Sequence, residues 1–144
     1  SRGISIINNE QSDPTDGNNY PVIGLVAAGS PTLASENIEN KINCPNGFFN
    51  SDFDYFLKVK GLSMKDAGIM EDDLVAVKKT SDVKNGDIII ARMDDEVTIK
   101  YFRRISPKFV ELEAANEDFE NIKVDLEHQN FVIEGKSVGL LRKS

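Results

Sequence analysis

Hydrophobic positions in this chain alternate with polar ones far more often than they recur at helical spacing. Residues 22–28 form an apolar extended run that stops at Gly29-Ser30-Pro31. Residues 56–60 and 74–78 each read as alternating strands. Lys84-Asn85-Gly86-Asp87 carries a turn signal ahead of the apolar run 88–91. Asp94-Asp95 then turns the chain into residues 96–102, and shorter strand patterns follow at 109–112, 131–134 and 138–141. Only residues 35–42 and 64–67 carry a brief helical pattern. Closely spaced strands joined by short turns predict a mostly β fold, one curled multi-strand sheet with very short helices.

The first 19 residues read differently. A short apolar group, Ile4, Ile6 and Ile7, precedes a stretch of Asn, Asp, Gln, Ser, Pro and Gly. That composition predicts a linker over residues 1–19 and one folded domain over 20–144. A chain of 144 residues suits a single core. Its formal charge of −7 would repel a phosphate backbone, so these residues are not expected to grip DNA unaided. One cysteine, Cys44, excludes an internal disulfide and fits a reducing cytosol. No apolar run is long enough for a membrane span. The chain starts at Ser1, which suggests a fragment or a processed product.

A single histidine, His128, excludes a His-rich zinc site and makes a histidine-based triad a poor fit. The acidic runs Glu71-Asp72-Asp73 and Asp94-Asp95-Glu96 lack the spacing of a calcium loop and read as solvated turns. No phosphate-binding glycine loop is present, and no cofactor is implied. A pairing of Cys44 with His128 has no motif behind it, and a lone cysteine is more often a small buried hydrophobe.

Gly61-Leu62-Ser63-Met64-Lys65-Asp66 places a serine just after a strand and a glycine, at the start of a helical turn. Its hydroxyl could act as a nucleophile with nearby backbone N–H groups facing an oxyanion. On local pattern alone an N-cap serine, with Asp66 as a capping partner, is the favoured reading. A serine nucleophile needs a base, and here a lysine must supply it. A free lysine is neutral only about once in 2,500 at pH 7, a handicap of roughly 4.6 kcal/mol. Burial among apolar groups removes most of that handicap. Lys100 is the best placed, ending Val97-Thr98-Ile99 and preceding Tyr101 and Phe102, with Glu96 and Thr98 on its own face as tuning or orienting neighbours. A surface lysine on an edge strand remains its commoner fate. Val26-Ala27-Ala28-Gly29 could thread a narrow cleft, or simply end a strand at a glycine turn.

Together these segments resemble the C-terminal domain of LexA repressors, over essentially all of residues 20–143. The resemblance also rests on Gly68-Ile69-Met70, Asp82-Val83-Lys84-Asn85-Gly86, Asp94-Asp95-Glu96-Val97-Thr98-Ile99-Lys100 and Glu134-Gly135-Lys136-Ser137-Val138-Gly139. It implies a serine–lysine peptidase of the LexA/signal-peptidase-like fold that cuts its own Ala28–Gly29 bond. Ser63 would be the nucleophile, Lys100 the general base, and the backbone N–H groups of Leu62 and Ser63 the oxyanion hole. It further implies a cytoplasmic homodimer, cleavage promoted by RecA filaments on single-stranded DNA, and operator DNA read only through an N-terminal winged-helix domain outside this chain. Residues 137–141 are expected at the dimer contact. A UmuD-like polymerase accessory factor and a non-catalytic dimerisation module are the alternatives.

Overall fold

The computed structural model describes residues 17–24, 38–94 and 96–142. Nine strands account for most of them: β1 (Gly17–Gly24), β2 (Ile38–Pro45), β3 (Tyr55–Lys58), β4 (Leu74–Lys78), β5 (Ile88–Met93), β6 (Glu96–Arg104), β7 (Phe109–Glu113), β8 (Ile122–Asp125) and β9 (Phe131–Leu141). The only helical element among the described residues is a 3-10 turn at Lys65–Ala67. All nine strands lie in one open sheet, in the order β2-β1-β3-β4-β9-β5-β6-β7-β8. The mostly β expectation therefore holds. Among the described residues only the β1–β3 pairing is parallel.

The sheet has two halves that meet on β9. Its second half pairs with β4, from Leu74↔Leu141 to Lys78↔Lys136. Its first half pairs with β5, from Ile89↔Lys136 to Met93↔Phe131. Register shifts at Ala76/Val77 and Ile90/Ala91 fall on either side of this junction. Such irregularities bend strands and increase their twist. Gly135 sits at the junction because nothing larger fits: a Cβ there would lie 2.4 Å from the Lys78 carbonyl oxygen and 2.7 Å from Val77 Cγ1.

Side-chain alternation sorts the core onto two faces. Ile23, Tyr55, Leu57, Val75, Val77, Ile90 and Ile99 bury together in one cluster, which Val59, Met64 and Ile69 complete. Their alternates split at the β9 junction. Val22, Phe56 and Ala76 pack with Cys44 on one side, and Ile89, Ala91 and Phe102 with Val110, Leu112 and Val124 on the other. Central strands buried on both faces explain why 74–77 and 88–91 read as almost continuous apolar runs.

Four features differ from the sequence reading. Ile38–Pro45 is a strand, so the helical reading of 35–42 fails over its described part. The period there is two: Cys44 is buried and Ile42 half-buried, and the intervening Lys41 and Asn43 are exposed. β8 has no counterpart in the sequence reading; its inward Ile122 and Val124 stand in an acidic, polar stretch. The runs 131–134 and 138–141 join into one strand through Gly135. β1 starts at Gly17, with Gly17, Asn18 and Asn19 already paired to β2.

Gly135→Ala should cost about 1–3 kcal/mol of stability, because the clash is with backbone that cannot swing away. Urea unfolding checks this. A midpoint equal to that of the parent would contradict the close approach at the β9 junction.

Candidate active site

β3 ends at Lys58, and the chain stays beside β4 for one more residue: the Val59 N–H donates to Asp73 O (2.9 Å) and the Asp72 N–H to Val59 O (2.9 Å). Gly61 then turns the chain with φ +83, in the left-handed region that costs glycine nothing. Its N–H donates to Glu71 Oε2 at 3.0 Å. The 3-10 turn Lys65–Ala67 follows and stops at Gly68, φ +84, whose N–H closes on Lys65 O. Met64 and Ile69 sink into the first core cluster and pin both ends of the turn. Ser63 does not cap this turn. Met64 occupies the cap position, and no side chain caps it.

The Ser63 hydroxyl turns instead toward β6. Lys100 Nζ lies 3.0 Å from Ser63 Oγ. The same nitrogen donates to Thr98 Oγ1 at 2.5 Å and to Ile99 O at 3.2 Å. Lys100 is only 6% exposed, so the surface-lysine alternative fails. Among the described residues no carboxylate pairs with it; its three partners are neutral oxygens. Desolvation therefore goes uncompensated and holds its amine below the ordinary lysine value. Once neutral, the nitrogen has a lone pair that can accept the serine proton. Of the two neighbours on the lysine's face, Thr98 touches the amine, whereas Glu96 stays exposed at the start of β6.

The β7–β8 connection completes the surroundings. β7 pairs with β6 only over Tyr101–Arg104, and its last residue, Glu113, stands opposite Tyr101. Beyond that point the chain bonds to the serine turn instead. The Ala115 N–H donates to Ser63 O (2.8 Å), and the Asp66 N–H donates to Ala115 O (2.7 Å). Asn116, buried at 7% exposure, donates from Nδ2 to Leu62 O at 2.8 Å. Nothing in the sequence pattern marked Asn116. Its signal is burial of an amide in a loop, which appears only with coordinates.

The acidic run after the turn is not wholly solvated. Asp73 is buried, and Arg142 meets it through Nε (2.9 Å) and a second guanidinium nitrogen (2.7 Å). That arginine also donates to Gly68 O at 2.6 Å. Arg142 and the Met70 N–H hold the Asp73 carboxyl below its usual range. The residue just past β9 is thereby tied to the end of the serine turn. Cys44 is buried in the third cluster, where burial raises its thiol, and His128 meets Asp125 in an exposed turn. Ala28 and Gly29 lie outside the described residues. The Leu62 and Ser63 N–H groups donate to no atom among the described residues.

The peptidase S24-like pattern matches residues 21–138. The chain belongs to the peptidase S24-like family. Within it, the chain is 52% identical to the LexA repressor of Marinomonas sp. over 144 residues, covering 99% of this chain and 69% of the relative. It is 48% identical to the LexA repressor of Cellvibrio japonicus, covering 99% of this chain and 68% of the relative. The LexA repressor of Teredinibacter turnerae is 49% identical over 100% of this chain and 69% of its own length. The resemblance to LexA repressors thus extends along the whole chain, and an S24-like fold explains both the open sheet and the peptidase character. No helix among the described residues is long and apolar enough to cross a membrane.

The lysine sets a pH signature for this S24-like domain. Its depressed folded value means the unfolded chain binds the extra proton between the folded value and about 10.4. Stability relative to a Lys100→Met variant should therefore be poorest below that window and should improve as pH rises through it. Melting both proteins from pH 6 to pH 10.5 tests this. A pH-independent gap would mean that the amine stays charged in the fold.

Proposed function

We propose that this chain is the self-cleaving part of a LexA-type SOS repressor, cutting its own Ala28–Gly29 bond with Ser63 and Lys100. The observation that carries the reading is the 3.0 Å approach of a buried, carboxylate-free lysine amine to a serine hydroxyl. Neutral Nζ takes the proton from Ser63 Oγ as that oxygen adds to the Ala28 carbonyl carbon. The oxyanion that forms is met by backbone N–H groups at Leu62 and Ser63. Collapse breaks the bond to Gly29, and Nζ returns the proton to the departing amine. The ester left on Ser63 is then hydrolysed by a water that the same nitrogen deprotonates.

The scissile segment and the site share one chain, so the effective concentration is already enormous, about 10⁵–10⁸ M in well-oriented cases. Restraint must therefore come from an equilibrium between docked and undocked forms of the segment, with the undocked form favoured at rest. RecA filaments on single-stranded DNA would favour the docked form. Cleavage would then separate this domain from an operator-reading domain outside this chain and release DNA-repair genes from repression in the cytoplasm.

A homodimer fits the same reading. β5 follows β9 only as far as Lys136, so residues 137–141 present one strand edge with no partner among the described residues. A second copy could add its own edge there, in the self-complementary manner of a two-fold contact.

Incubation at alkaline pH should yield two fragments whose masses place the cut between Ala28 and Gly29. The rate should climb with pH as Lys100 loses its proton and then level off. Ser63→Ala and Lys100→Ala should each leave the chain whole. Cleavage by the lysine variant at the parental rate would remove Lys100 from the reaction.

A further inference from the structure

A trans peptide is planar, so its C=O and the following N–H point in opposite directions. Anchoring one aims the other. The Leu62 carbonyl is anchored by Asn116 Nδ2 at 2.8 Å, and this directs the Ser63 N–H the opposite way. The next peptide is held too, through the 2.8 Å bond from the Ala115 N–H to the Ser63 carbonyl. The orientation of the Asn116 amide is itself fixed. Its Oδ1 accepts the Asp118 N–H at 2.9 Å, so Nδ2 must face the Leu62 carbonyl, which can only accept. Burying an amide to 7% exposure is costly without partners, and this one has both kinds.

We propose that Asn116 is a positioning residue for self-cleavage: its amide sets the Leu62–Ser63 peptide so that the Ser63 N–H faces the oxyanion formed when Ser63 attacks. This rests on the reading of Ser63 as the nucleophile. Asn116 touches neither the scissile bond nor the serine oxygen in this role. It acts through the backbone of the residue before the nucleophile. The loop that carries it does not depend on its side chain alone. The Phe119 N–H donates to Asn116 O (3.0 Å), and the Ala114 N–H to Asn121 Oδ1 (3.1 Å).

Two variants separate aiming from loop support. Asn116→Asp keeps an oxygen for the Asp118 N–H but, ionised, has no hydrogen to offer the Leu62 carbonyl. Asn116→Ala loses both bonds. Self-cleavage of the whole chain is followed from pH 7 to pH 11, alongside the parent and Ser63→Ala. Both Asn116 variants should reach a plateau rate about 10- to 100-fold below the parent. Asn116→Asp should be no faster than Asn116→Ala. The pH midpoint of Asn116→Ala should match the parent, because the base is untouched. Parental rates in Asn116→Asp would assign the residue to loop support and overturn the proposal. So would a full plateau reached at a shifted midpoint. Should Asn116→Ala fail to fold, the Asp variant alone decides, since it retains the bond within the loop. Failure of the parent to cleave, or cleavage by Ser63→Ala, would instead sink the self-cleavage reading beneath it.

Discussion

Everything at this site depends on keeping one amine out of water. A lysine on a strand normally stays charged and lets its head reach solvent. Lys100 is denied both. β5 covers one edge of its strand, with Ile89 opposite it, and the serine turn closes over the amine where β7 has ended. The three groups around Nζ are oxygens without formal charge. A carboxylate in any of these places would stabilise the ammonium and oppose the effect of burial. Burial without a counter-charge is destabilising for a fold. On the proposed reading, its position beside a serine hydroxyl gives the arrangement a chemical purpose.

The rest of the architecture supplies the other half of that arrangement, a serine that cannot drift. Ser63, the proposed nucleophile, lies in a turn that is neither strand nor capped helix, a poor place to hold a hydroxyl in position by local structure alone. The turn is secured from outside. Met64 and Ile69 bury in the main core cluster, residues 115 and 116 bond to its backbone, and Arg142 reaches the Gly68 carbonyl while paired with buried Asp73. Three of these supports, Ala115, Asn116 and Arg142, come from sequence positions that lie far from the turn. β9, which joins the two halves of the sheet, leads directly into Arg142. The edge proposed for dimer contact and the end of the serine turn are therefore linked by one residue's guanidinium.

That dispersal explains what the sequence could and could not disclose. The strand pattern at 56–60 and the apolar run 74–77 are visible because β3 and β4 bury side chains on both faces. β2 was hidden because only Ile42 and Cys44 mark its inward side, and a short polar segment after a serine imitates a helix start. β8 was hidden because two inward residues, Ile122 and Val124, are too few to show a period. At the site, Ser63 alone looked like a cap, and Lys100 alone like a surface residue. Local spacing could not join residues 37 positions apart; the resemblance to a family named them as partners. Asn116 and Arg142 escaped notice for a different reason. Both donate to backbone carbonyls of the serine turn, and a carbonyl leaves no mark on residue type; the Asp73 partner of Arg142 lies 69 positions away.

On the proposed reading, control of cleavage cannot come from assembling the catalytic groups. The base and the nucleophile already lie within hydrogen-bonding distance, on a sheet buried on both faces and a turn fixed at several points. Raising the rate by reshaping them would mean disturbing the core that keeps the lysine dry. An activator would work against its own purpose by admitting water there. The low-cost variable is delivery of residues 28 and 29 to a site that stays ready. A partner that binds only the docked arrangement shifts that balance by its differential affinity and by nothing else. A permanently armed site with a rationed substrate is a stable design, because every core contact that preserves the fold also preserves the chemistry.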